Sequence, residues 1–128
     1  MAHPGDGWQA EDFCYLTTTG RVSGKPHTIE IWFACSASGE ELHLRAGGRR
    51  RSDWVRNIEA NGDVRVRVRE ATADTTARVL AEGAEEDAEA DAESKQILVV
   101  KYGTDGDLDR WAATSLAVVL RNPWAPAP

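Results

Sequence analysis

The chain has 128 residues, enough for one domain with an ordinary buried core. Hydrophobic residues make up 41% and charged residues 28%, which excludes a disordered or membrane-embedded chain. The net charge of −6 hides an asymmetry: residues 20–69 hold ten Lys/Arg against six Asp/Glu, whereas residues 70–110 hold four against twelve. A basic half on an acidic protein points to a specific anionic ligand and away from general nucleic-acid binding.

Residues 1–12 read as a loose N-terminal arm with a short helix at 8–11. No basic start or apolar block marks a secretory signal there, so a cytoplasmic location is expected. A first strand is predicted at 13–18. Residues 27–35 alternate cleanly: Ile29, Ile31, Phe33 and Cys35 share one face, and Thr28, Glu30, Trp32 and Ala34 share the other. Glu30 and Trp32 suit either a pocket wall or a dimer contact. A turn at 36–40, with Gly39 at the left-handed position, leads to a partner strand at 41–46 whose Leu42 and Leu44 face inward. Ser52 is placed to cap a short helix at 53–60, and Asn61-Gly62 to end it in the left-handed conformation.

The plainest strand is 63–70, where Val64, Val66 and Val68 alternate with Arg65, Arg67 and Arg69. The arginines read as a solvated or acid-paired sheet face. A strand at 75–81 completes a hairpin. Residues 84–102 form an acidic, alanine-rich helix stopped by Gly103, its acidic run read as a solvated face. A helical turn at 107–113 precedes a last strand at 114–121, apolar on both faces. The Pro-rich tail 123–128 cannot continue a sheet. The longest apolar runs, such as 97–100, are too short to span a bilayer. One domain is expected over 13–122.

Roughly six strands, hairpin-linked early and with helices inserted later, favour a mainly β (α+β) fold: an antiparallel closed or split barrel with a few flanking helices, rather than a doubly wound parallel sheet. Cys14 and Cys35 lie in apolar segments and read as reduced, buried thiols that could bridge only if their strands pair. No Cys-x-x-Cys pair and no His/Cys cluster suggests a metal.

The most informative stretch is the loop between the first two strands, with Thr19, Gly20, Arg21, Ser23, Gly24, Lys25 and His27. Its two glycines free the backbone to turn several N–H groups towards one point, and Arg21 and Lys25 add full charges. It reads as a phosphate grip. Gly47, Gly48 and the triple arginine Arg49, Arg50 and Arg51 form a second small-and-basic loop, of which one or two arginines are expected to meet an anionic tail.

Thr17-Thr18-Thr19-Gly20-Arg21-x-Ser23-Gly24-Lys25-Pro26 resembles the opening motif of the deazaflavin-dependent nitroreductase family. So do Gly47-Gly48, then Trp54-x-x-Asn57-Ile58-x-Ala60-Asn61 and the strand Asp63-Val64-Arg65-Val66. The resemblance implies a six-stranded antiparallel split β-barrel, as in pyridoxamine phosphate oxidases, and binding of coenzyme F-420, a deazaflavin with a phosphate and an oligoglutamate tail. It implies hydride transfer from the reduced cofactor to quinones, nitro compounds or activated double bonds. Arg21 and Lys25 would grip the anionic side chain, Gly47-Gly48 would lie beside the deazaflavin ring, and Trp54 would help form the groove. Tyr102, where family members place substrate-pocket tyrosines, would be the catalytic proton donor, with Tyr15 or water as the other sources. Three alternatives stay open: the same fold with FMN, a non-catalytic binder of a cofactor or hydrophobic ligand, or a biosynthetic enzyme. The assembly is expected to be a monomer or homodimer acting on a small molecule.

Overall fold

Alternation of period two carries most of the architecture. The computed structural model describes residues 2–103 and 106–126, so Met1 and residues 127–128, the ends of the expected arm and tail, lie outside it. Strand β1 (Cys14–Thr19) turns Cys14, Leu16 and Thr18 inward, and β5 (Asp63–Val68) does the same with Val64, Val66 and Val68. The other strands are β2 (Pro26–Ile31), β3 (Ala34–Cys35), β4 (Glu41–Ala46), β6 (Ala71–Val79) and β7 (Leu116–Arg121). They form one curled sheet, order β2-β1-β5-β6-β7-β4-β3, with every pairing antiparallel.

The strands number seven rather than six because the expected strand at 27–35 is broken at Trp32-Phe33. Its halves are consecutive in the chain yet occupy opposite ends of the strand order. Phe33 and Ala34 are both buried, which no single pleated strand with one wet face allows. Phe33 turns into the core and stacks on Trp8 (centroids 6.2 Å apart), while Trp32 stacks on Tyr102 on the other side (4.3 Å). This corner brings the two sheet edges together and makes the half-barrel.

The β5–β6 hairpin is tighter than expected. Val68 pairs with Ala71, leaving Arg69-Glu70 as a two-residue turn with Arg69 at φ 54°. Such turns favour Gly or Asn, so the sequence carries no turn signal here. The Arg69 side chain bonds Glu11 (3.1 Å) and the carbonyls of Pro4 and Asp6, strapping down the N-terminal segment. Trp8 is buried against Trp124, and Trp124 donates to the Ala2 carbonyl, so the expected loose arm is fastened to the barrel.

Helix α1 (Asp53–Ala60) has Ser52 at its N-cap, without a side-chain capping bond. Asn61 is extended, not left-handed. Gly62 serves a different need: a Cβ there would sit 2.9 Å from the Ala77 carbonyl, where β6 closes on it. Helix α2 (Glu85–Tyr102) covers the outer face of β7, and Ala117 and Val119 are buried there with Leu80 and Ala90. Its acidic run is not simply solvated. Asp87 accepts from Arg78 and from the Ala81 N–H, and Asp91 pairs with Arg45. The expected turn at 107–113 is a nine-residue helix, α3 (Gly106–Thr114). Both cysteines are free, Cys14 buried and Cys35 half-buried. Among the described residues, no helix is long and apolar enough to cross a membrane.

Candidate functional site

The Gly20–Lys25 loop is the hairpin end between β1 and β2. A Cβ on Gly20 would meet the Ser23 hydroxyl at 2.7 Å and the His27 ring at 2.8 Å, so a larger residue there would have to push both side chains aside. Its N–H groups do not converge as a nest. Those of Gly20 and Gly24 bond loop carbonyls, that of Lys25 bonds Ser23 Oγ, and that of Arg21 bonds Asn57 Oδ1. A loop this short closes on its own donors first.

Arg21 fastens the loop to α1. Its guanidinium donates to Asn57 Oδ1 (2.9 Å) and to the Asp53 carboxylate (3.1 Å). Asn57, 2% exposed, in turn donates to the buried Thr18 hydroxyl at 3.0 Å. Half of the expected grip is therefore internal bracing. Lys25 at the end of the loop and His27 at the start of β2 are exposed, and neither has an acidic partner among the described residues.

The second loop reaches the same end of α1. Arg49, Arg50 and Arg51 form a single 3-10 turn that runs into Ser52. Arg49 bonds Glu82 and the Thr114 carbonyl, and Arg50 pairs with Glu59 at 3.2 Å. Arg51 and the α1 residue Arg56 are exposed and have no acid partner among the described residues. Trp54 is half-buried against the core. On these two loops and α1, Lys25, Arg51 and Arg56 are thus the cations without an acid partner among the described residues, while Arg21 is held by Asp53 and Asn57.

Beyond Gly47 lies an aromatic cleft. The Trp111 indole nitrogen would stand 3.3 Å from a Cβ on Gly47, so the missing side chain lets the ring sit against the backbone. Trp111 meets Trp32 edge-on at 5.7 Å. Phe13, Glu30, Ile31, Trp32, Arg45, Leu108 and Trp111 line a cleft of about 580 Å³. Glu30 and Trp32 therefore face a pocket.

Tyr102 stands behind that cleft. Its hydroxyl accepts from the Phe33 N–H (3.0 Å) and lies 2.6 Å from the Asp12 carbonyl and 3.0 Å from the Phe33 carbonyl, which compete for its one proton. Burial pushes its pKa up to about 12. Lys101 donates to the Phe33 carbonyl at 2.7 Å and lies over the Phe33 ring, and burial pulls its pKa down to about 8. The two residues clamp the Trp32–Phe33 corner.

A model of the F420H(2)-dependent quinone reductase family matches residues 2–123, almost the whole of this barrel. The chain belongs to that family. It is an oxidoreductase family, named for dependence on the reduced deazaflavin. No curated protein matches the sequence at a significant level. Among solved structures, F420-H2 dependent reductase FDR-A is similar with TM-score 0.62 and 22% identity, over 87% of this chain and 94% of that one. The heme storage protein HutZ from Vibrio cholerae is similar with TM-score 0.66 and 16% identity, over 89% and 83%. A FAD-binding protein from Mesorhizobium loti gives 0.61 and 16%, over 88% and 80%. At such identities these neighbours establish the split-barrel fold.

In this member of the family, both sequence-derived loops meet at the start of α1, and Tyr102 stands apart from them at the corner. Sequence reasoning did not single out Trp111, which lies far from the motifs in the chain. It also passed over His43 and Arg45. These alternate with Leu42 and Leu44 and are buried on the outer face of β4, beneath α2. Arg45 is fully engaged with Ser94, Ser115 and Asp91. Neither ring nitrogen of His43 has a hydrogen-bond partner, and burial lowers its pKa against the pull of Glu41 and Glu93.

Proposed function

We propose that this protein passes a hydride from reduced coenzyme F-420 to a small organic acceptor: a quinone, a nitro compound or an activated C=C bond. The observation that carries the reading is the meeting at Gly47-Gly48 of the basic Arg49–Arg51 turn, whose Arg51 has no acid partner among the described residues, with the cleft that holds Trp111. The Arg49–Arg51 turn follows Gly47 on one side, and Trp111 packs on it from the other. A phosphate bearing several carboxylates suits Lys25, Arg51 and Arg56, and a flat ring suits a wall of Trp32 and Trp111. The residues present thus fit the group. When bound, the deazaflavin supplies the hydride, and the chain needs no nucleophile of its own.

The chain's residues bind and orient. Thr19, Gly20, Ser23 and Gly24 shape the loop that presents Lys25 and His27, and Arg21 fixes that loop on α1. We assign Gly47, Gly48 and Trp54 to the cofactor groove, with Arg49 and Arg50 held by acids and Arg51 left for the ligand. We read Tyr102 as a positioning residue, because its hydroxyl is tied to backbone and it reaches the cleft through Trp32. Water entering the open cleft then supplies the proton. Assembly as a monomer or homodimer and residence in the cytoplasm belong to the same reading.

The test is a fluorescence titration of the purified protein with F-420 beside FMN, followed by turnover with quinones, nitroaromatics and enones. Selective F-420 binding with turnover is expected. FMN binding alone would move the protein to a flavin-using branch. Tight F-420 binding without turnover on any acceptor would make it a carrier.

A further inference from the structure

Strand β4 carries two polar side chains under α2, and only one of them is satisfied. Arg45 spends its donors on Ser94, Ser115 and Asp91. His43, two residues away on the same face, is 0% exposed, and neither ring nitrogen has a partner. Its Nε2 points between two carboxylates, 3.7 Å from Glu41 Oε1 and 3.8 Å from Glu93 Oε1, too far for hydrogen bonds. The three donor atoms all lie within 4.8 Å of one another.

We propose that Glu41, His43 and Glu93 form a divalent-cation site whose preferred occupant is zinc. One imidazole and two carboxylates make a mixed nitrogen–oxygen set, which suits zinc better than calcium or magnesium, whose sites are built of oxygen. Ligands at about 2.0–2.2 Å from a tetrahedral ion stand roughly 3.3 Å apart. The two His43–carboxylate separations therefore need to close by about half an ångström, and the two carboxylate oxygens, within 4.8 Å of each other, must draw together as well. Both glutamates can supply that movement, because their side chains are 43% and 34% exposed while the imidazole is fixed. Glu93 is already oriented, its second oxygen accepting from the Ala37 N–H at 3.3 Å. The two exposed carboxylates leave a fourth position open to water. Two negative charges and a neutral ring are balanced by one divalent ion, which would staple β4 to α2. The site is independent of the deazaflavin reading, since none of its residues belongs to the cofactor loops.

The experiment is calorimetric titration of chelator-treated full-length protein with zinc chloride, with melting followed in parallel. One equivalent should bind at micromolar or tighter Kd and raise the melting temperature. The variant Glu41→Gln/Glu93→Gln keeps the shape of two half-buried side chains, and an amide oxygen at 93 can still accept from the Ala37 N–H, so it should fold and melt like the metal-free parent. Its zinc affinity should fall by more than the about 10–100-fold that follows loss of an outer-shell partner. Cys35→Ser should leave zinc binding unchanged. A parent that takes up no zinc would overturn the proposal. So would zinc binding that survives in the double variant or disappears with Cys35.

Discussion

The Gly20–Lys25 loop and the Trp32–Phe33 corner are the two places where the chain turns out of the barrel ladder on either side of β2, and they are held in opposite ways. The loop has one side-chain anchor, Arg21 on Asn57 and Asp53, and otherwise projects exposed groups such as Lys25 and Val22, the latter 93% exposed. The corner is pinned at its backbone. The Phe33 N–H and carbonyl are both bonded, by Tyr102 and Lys101, and the Phe33 ring is in the core. Polar groups paired inside the protein hold shape, whereas those left unpaired at the surface are available to a ligand. The difference separates residues that build the barrel from those left free for the proposed cofactor.

The sharpest way to break the corner is Phe33→Ala. It deletes a fully buried ring packed on Trp8, and a loss of about 3–5 kcal/mol is expected in denaturant unfolding. A loss under about 1 kcal/mol would show that the corner is not a core element. Tyr102→Phe comes next. It keeps the stack on Trp32 but strands the Phe33 N–H, which costs about 1–3 kcal/mol. If Tyr102 positions rather than protonates, turnover measured well below the melting temperature should survive this change with the same pH profile. A selective collapse of kcat in a fully folded variant would restore the proton-donor role.

The fold was legible where one side of a strand is wet. Val64, Val66 and Val68 against Arg65, Arg67 and Arg69 could be read directly, and so could the Gly20–Lys25 loop. Legibility failed where a long-range partner decides. Phe33 continues the alternation of Ile29 and Ile31, and only the side chains of α2 show that the strand breaks there. Arg69-Glu70 carries no turn residue, and its strain is met by bonds to an N-terminal segment some 60 positions away. At the site, composition identified the basic loops but could not say which cations are spent. Arg49 and Arg50 look like Arg51 in sequence but face Glu82 and Glu59 in the fold.

That distinction gives a finer comparison within the basic end. Lys25→Ala with Arg51→Ala removes exposed charges and should change stability by no more than about 0.5 kcal/mol. The same pair should weaken F-420 binding about tenfold or more, with a larger effect at low salt. Arg50→Ala, which breaks a pair with Glu59, should weaken binding less. Equal losses from the paired and the unpaired arginine would erase the contrast between bracing and binding.

The smallest expected effect is a pH dependence of stability at the corner. Burial pulls Lys101 from its ordinary 10.5 to about 8, so above that value the unfolded chain holds a proton that the folded chain has released. Stability therefore rises with pH from about 8. The opposite sign sets in above 9, the ordinary value for a thiol, because Cys14 is pushed up to about 12 in the folded state and keeps its proton while the unfolded chain loses it. Tyr102, pushed up to about 12 from 10, adds to that fall. Unfolding free energy should thus pass through a shallow maximum near the point where the lysine gain gives way to the thiol loss. Lys101→Met should remove the rising limb and leave the falling one. Denaturant melts at half-unit steps from pH 7 to 10.5 on both proteins would decide it: a parent whose stability falls monotonically, or a variant that keeps the rise, would show that the lysine is solvated and that the corner rests on Tyr102 alone.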